Sequence, residues 1–152
     1  MTGEDQFDVL LEEAERRLRR ALPGAVGVDA TPDAIGDALA WAWEHRDRLV
    51  SFANPHGYLY RVAVNAGRRR RRSPELPPVD TTRLREVEPG LAPALAALSP
   101  MQRQTVWLVH ACDWTYAETA EALGVSASAV GTHLTRGMTR LRTAIIGDED
   151  HG

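Results

Sequence analysis

"YAETAEALGVSASAVGTHLTR", residues 116–136, is the stretch on which the fold turns. Thr115 followed by Glu118 forms a capping box, so a helix is expected to start there and run through "ETAEALG". Gly124 stops it, because glycine takes a positive φ at little cost. Ser126 then caps a second helix, "ASAVGTHLTRGMTRLRTAII". Ala120 is small where two such helices would cross, and Leu123, Val125, Val130 and Leu134 are apolar where they would share a core. These features together predict a helix-turn-helix. Its second helix would turn Ser126, Ser128, Gly131, Thr132, Thr135 and Arg136 outward, as small or basic groups able to approach base edges and phosphates. Between Ala122 and Ile146 there are three arginines (136, 140 and 142) and no acid, so this edge is locally positive.

Upstream, the apolar spacing is helical throughout. Phe7, Leu10, Leu11, Ala14, Leu18 and Leu22 predict an amphipathic helix over 5–22. Thr31-Pro32-Asp33 reads as a start signal with a capping hydroxyl, for a helix reaching about Leu49. Asn54-Pro55 opens a third helix that closes on five successive arginines, Arg68 to Arg72. The segment 73–90 then carries four prolines and four acids and reads as an extended linker. Leu91 to Leu98 is a short apolar helix, and Ser99-Pro100-Met101-Gln102 is a second capping box opening a helix to about Cys112. No stretch reads as a strand. The fold expected is all-α, as two small domains, 1–72 and 91–146, with an acidic tail at 147–152.

The arginine run stands out in a chain whose net charge is −3. Residues three and four apart share a helix face, which places Tyr58, Arg61, Asn65, Arg68 and Arg72 on one stripe, with Arg69 beside it. The opposite stripe, Leu59, Val62, Ala63 and Ala66, is apolar and should pack. Guanidiniums for phosphate, a ring for stacking and an amide for base edges suit nucleic acid.

The whole pattern resembles the bacterial RNA polymerase sigma factors of the extracytoplasmic-function type, over nearly the full chain. "DAIGDALAWAWEHRDRL" is similar to the family's polymerase-binding helix, and the resemblance assigns that contact to Asp33, Asp37, Leu39 and Trp43. "PHGYLYRVAVNAGRRRRR" is similar to the helix that binds and melts the −10 element. It implies single-stranded −10 contacts at Tyr58, Arg61, Asn65, Arg68, Arg69 and Arg72. The C-terminal helix-turn-helix implies double-stranded −35 contacts at Ser126, Ser128, Gly131, Thr132, Thr135, Arg136 and Arg140. The partners implied are core RNA polymerase, promoter DNA and an anti-sigma factor. The acids of 73–90 would suit a basic polymerase channel. The chain departs from the family pattern at Gly36, where glutamine is usual, and at Leu39, where an aromatic is usual. It departs again at Val64, Gly131 and His133, where basic residues are common. The alternative is a sigma-like helix-turn-helix regulator that binds polymerase weakly or not at all.

Enzyme chemistry finds no support in the residues. His110 and Cys112 are two apart on a helix and point different ways, and the five histidines fall in no ligand spacing, so no metal or cofactor is expected. Cys112 is the only cysteine and reads as a small core residue. The four tryptophans, Trp41, Trp43, Trp107 and Trp114, read as core or domain-surface anchors. The acidic N-terminus and the lack of a long apolar run predict a cytoplasmic protein without a membrane span.

Overall fold

A computed structural model describes residues 2–70 and 91–149, and every regular element among them is helical. The expected linker 73–90, Arg72 and the last residues of the acidic tail lie outside the described residues. Helix α1 spans Gly3–Ala21, α2 Pro23–Val26, α3 Thr31–Glu44, α4 Arg46–Leu49 and α5 Pro55–Arg70. In the second described segment come α6 Leu91–Ala96, α7 Pro100–Val106, a π-helical turn Trp107–Ala111, α8 Tyr116–Leu123 and α9 Ala127–Glu149. None of the described helices is long and apolar enough to cross a membrane.

Local chemistry explains most boundaries. Capping boxes open α1 (Thr2 with Asp5), α7 (Ser99 with Gln102) and α8 (Thr115 with Glu118). Gly124 ends α8 at φ 67°, the left-handed value its position in the turn requires. The Ser126 oxygen accepts from the Ala129 amide at 3.0 Å. Four features differ from expectation. Thr31 does not cap α3: its hydroxyl donates to the Gly27 carbonyl at 2.7 Å, inside the first turn, and Ala30 stands at the N-cap without a side-chain bond. The helix expected to reach Leu49 breaks at His45, whose φ and ψ leave the helical region and whose ring bonds back to the Trp41 carbonyl at 2.9 Å. The helix after Ser99 widens into a π-helical turn, with the Cys112 amide donating to Trp107 five residues back. At the other end, α9 continues through Gly147 to Glu149, so the expected tail begins inside a helix.

Helix α5 is the hub, packed against α1, α2 and α3 on one side and α8 on the other. Ala34, Ala38 and Ala42 on α3 are all buried, an i, i+4 row of small side chains that lets α3 lie close to α5. The buried face of α5 is Leu59, Tyr60, Ala63, Val64 and Gly67; Val62 and Ala66, expected in it, are only half-buried. One apolar cluster joins Phe7, Leu18, Leu22, Ile35, Leu49 and Leu59 to Leu108, Cys112, Trp114 and Ala122. A smaller one, built on Leu95, Leu98, Val106, Leu134 and Leu141, supports α9.

Gly36 is exposed on α3, and a Cβ there would meet nothing within 4 Å. Gly36→Ala is therefore expected to stabilise the protein by about 0.5–1 kcal/mol through helix propensity. Thermal denaturation should show a rise in Tm of about 1–4 °C.

Candidate nucleic-acid interface

The capped turn between α8 and α9 sets the recognition motif. Val130 and Leu134 are buried, which fixes the rotation of α9 about its axis. That rotation leaves Ser126, Ser128, Thr132, Thr135 and Arg136 exposed in one band, with Gly131 half-buried at its edge. A Cβ on Gly131 would meet the Tyr116 ring at 3.7 Å, an ordinary contact, so the position has room for a side chain. The Thr132 hydroxyl donates to the Ser128 carbonyl at 3.2 Å, which leaves its oxygen able to accept. Arg140 differs from the others. Although exposed, it donates to Gln102 at 3.1 Å and to the Ala97 carbonyl at 3.4 Å, bracing α9 against the start of α7.

The second basic face lies on α5. Asn65, Arg68 and Arg69 are exposed, and Tyr58 and Arg61 are half-buried. The structure adds residues that the helix stripe alone did not reveal. Tyr58 packs on Trp41 (centroids 5.0 Å) and on Phe52 (4.8 Å), and Trp41 stacks on His45 at 4.3 Å. Arg61 lies over Tyr58 at 5.2 Å and Arg48 over Phe52 at 5.8 Å. Aromatic faces flanked by guanidiniums form the kind of platform on which unpaired bases stack. Its members come from α3, α4, the loop after it and α5. The pairs Trp41–His45, Arg48–Phe52 and Tyr58–Arg61 are three or four residues apart and local in the sequence, whereas the contacts of Tyr58 with Trp41 and Phe52 are not.

On α3, Asp33 and Trp43 are exposed and Asp37 is half-buried. Trp43 is 52% exposed and meets the Phe7 ring edge-on at 5.0 Å. Leu39, one turn before Trp43, is half-buried and packs against the main core.

A charged cluster sits where α1, α5 and α8 converge. Arg17 on α1 pairs with Glu118 on α8. Burial alone would raise the Glu118 carboxyl, but the Arg17 guanidinium and the Thr115 amide and hydroxyl hold it down to about 2. His56 lies 3.8 Å from Glu13. Its pKa is lowered by burial and by Arg17, against the opposing pull of Glu13 and Glu118. A histidine whose folded pKa is depressed costs nothing above its ordinary value of 6.5, and destabilises the fold as pH drops below it. The Glu118 contribution survives until pH falls below 4.5. Stability is therefore expected to fall between about pH 7 and pH 5 through His56. Urea denaturation across that range should show the fall, and His56→Gln should flatten it.

Among the described residues no group of three or more His, Cys, Asp and Glu could hold a metal ion.

Residues 91–141, which contain α6 to α8 and most of α9, match the family described as Sigma-70, region 4. Over 150 residues the chain is 32% identical to an RNA polymerase sigma-E factor of Streptomyces antibioticus, covering 90% of this chain and 83% of that one. It is 31% identical to an RNA polymerase sigma-E factor of Streptomyces coelicolor, covering 91% and 81%. Two solved structures share the fold. One is the sigma factor RpoE of Bartonella quintana with the anti-sigma factor NepR, at TM-score 0.60 and 18% identity over 93% of this chain and 95% of that one. The other is CnrH with the cytosolic domain of CnrY, at TM-score 0.65 and 24% identity over 95% and 90%.

Proposed function

This chain belongs to the RNA polymerase sigma factors of the extracytoplasmic-function type, and from that premise we propose how it divides the work of promoter recognition. Residues 1–72 form the unit that docks on core polymerase and meets the −10 element, residues 73–90 are the linker, and residues 91–146 read the −35 element. The observation that carries this reading is the exposed band on α9, where hydroxyls and a guanidinium stand on a helix fixed from behind by Val130 and Leu134. Docking falls to Asp33, Asp37, Leu39 and Trp43 on α3, Leu39 also packing partly against the core. The −10 strand is met by Tyr58, Arg61, Asn65, Arg68, Arg69 and Arg72, helped by Trp41, Phe52 and Arg48. Sigma factors direct initiation without chemistry of their own, so the chain is not an enzyme. It works on DNA in the cytoplasm, and an anti-sigma factor, of the kind held by the Bartonella relative in fold, is proposed as a further partner.

Mixing the purified chain with core polymerase on a promoter library tests the proposal. Co-purification and selective transcription from a subset sharing −35 and −10 elements are expected. A chain that binds DNA but never core polymerase would be a sigma-like regulator instead.

The arginine run should act on phosphates and not on sequence. Replacing Arg68, Arg69 and Arg72 with alanine is expected to weaken complexes at all promoters alike. It should flatten the log–log salt dependence by about 0.7–0.9 for each phosphate the variant no longer neutralises. Salt titration of promoter binding measures this directly.

A further inference from the structure

Among the described residues only two large aromatic side chains are exposed, and Trp43 is one of them. The other is Tyr116, the first residue of α8, at 46% exposure. The backbone that carries it is clamped. The Thr115 amide donates to the Glu118 carboxylate and the Glu118 amide to the Thr115 hydroxyl, both at 3.0 Å. The buried Thr119 hydroxyl donates to the Thr115 carbonyl at 2.8 Å. The turn into α9 is fixed as well, by Gly124 and by the Val125 amide donating to the Ala120 carbonyl at 3.0 Å. The Tyr116 ring is thus carried at a set place beside the recognition helix.

That place is next to Gly131. Among the described residues, the Tyr116 ring at 3.7 Å is the one group beyond the local backbone that a Cβ there would meet within 4 Å. Gly131 lies one turn from Ser128 on one side and from Thr135 on the other, both exposed in the outward band. In the middle of that band α9 therefore presents bare backbone, and a duplex can come closer there than a side chain would permit. The side chain nearest to the gap belongs to the other helix, and it is a flat apolar ring. The first helix of such a motif crosses the DNA backbone, so its first residue meets the duplex without any change of fold. In the major groove, the apolar mark that tells one base from the others is the C5-methyl of thymine.

Deepening the −35 reading above, on which this rests, we infer that Tyr116 is a specificity-determining residue: its ring, beside the gap at Gly131, packs against a thymine methyl of the −35 element that α9 by itself leaves unread. The −35 surface is then built from both helices of the motif. The phenol hydroxyl takes no part in the discrimination.

Replacing single −35 thymines by deoxyuridine removes the methyl and nothing else. With wild-type holoenzyme, one such replacement is expected to weaken promoter binding about three- to fivefold, the amount that burying one methyl group supplies. Tyr116→Ala should bind the thymine promoter more weakly by the same factor and be indifferent to the uridine. Tyr116→Phe, which keeps the ring and loses the hydroxyl, should behave as wild type. Gly131→Lys sets a long side chain where the ring lies and should abolish the same sensitivity, an independent route if Tyr116→Ala misfolds. An equal loss by Tyr116→Ala at every −35 sequence, or a uridine effect that survives without the ring, would overturn the inference. So would a wild-type holoenzyme that selects among −35 elements yet is indifferent to every uridine. A wild-type holoenzyme with no −35 preference at all would instead overturn the −35 reading itself.

Discussion

Trp43→Ala is expected to weaken binding to core RNA polymerase by at least about 30-fold, on the order of 2–4 kcal/mol, while leaving the protein folded. A tryptophan half in solvent is unusual unless something covers it, and this one is held ready. Its ring sits edge-on to the buried Phe7, at an interplanar angle of 77°. A fixed aromatic loses little side-chain freedom when a partner closes over it, which is why such residues dominate binding energy. Asp37 and Asp33 stand roughly two and three turns upstream on the same helix and would rim the contact. Asp37→Ala is expected to cost less, because charges at the rim act mainly on association rate. Removing the packing on Phe7 should lower stability by about 0.5–1.5 kcal/mol. A thermal melt separates that cost from the binding defect. Retention of wild-type polymerase affinity by Trp43→Ala would remove α3 from the docking surface.

Thr132→Ala combined with Arg136→Ala is expected to erase most −35 selectivity. A good base contact is worth about 1–3 kcal/mol, so the pair should cost on the order of 100-fold at the preferred sequence. The residues are one turn apart on α9 and share a face, so their effects need not add. The decrease should be large at the preferred element and small at scrambled ones, which distinguishes base reading from general attraction. Arg140→Ala is the internal control. Because its guanidinium is spent on Gln102 and Ala97, its removal should lower stability more than selectivity. Binding measured across a set of single-base −35 variants resolves both patterns.

Much of the fold was legible in the sequence because its punctuation is local. Capping boxes at Ser99 and Thr115 and the stop at Gly124 depend on residues within one turn, and they stand where the spacing places them. The misreading at Thr31 has an equally local cause. A threonine hydroxyl can cap the amides ahead of it or bond to a carbonyl behind it, and here the Gly27 carbonyl lies within reach. The break at His45 and the π-helical turn at Trp107 were not legible, since nothing in either segment is a helix breaker. The candidate site divides the same way. The outward band of α9 follows from helical period alone. The ring cluster of Trp41, Phe52 and Tyr58 requires three separate segments to meet, and the pairing of Arg61 with Glu121 joins residues 60 apart in sequence. Gly57 carries no sequence signal for the close approach of α8 to α5, because a glycine in a helix is informative only once its neighbour is known.

Cys112 lies in the same apolar cluster as Leu18, Tyr60 and Trp114, where the N-terminal helices meet the recognition motif. It is the only cysteine in the chain and 9% exposed, and burial pushes its thiol up to about 11. Such a group scarcely reacts while it stays covered. The fold thereby places a single chemical stopwatch in the cluster that joins the two halves. An alkylating reagent added to the free protein would consume Cys112 only during excursions that uncover it, so the labelling rate at saturating reagent reads the frequency of those excursions with no engineered probe. Binding partners that hold the two halves together should slow the stopwatch, and partners that hold them apart should let it run.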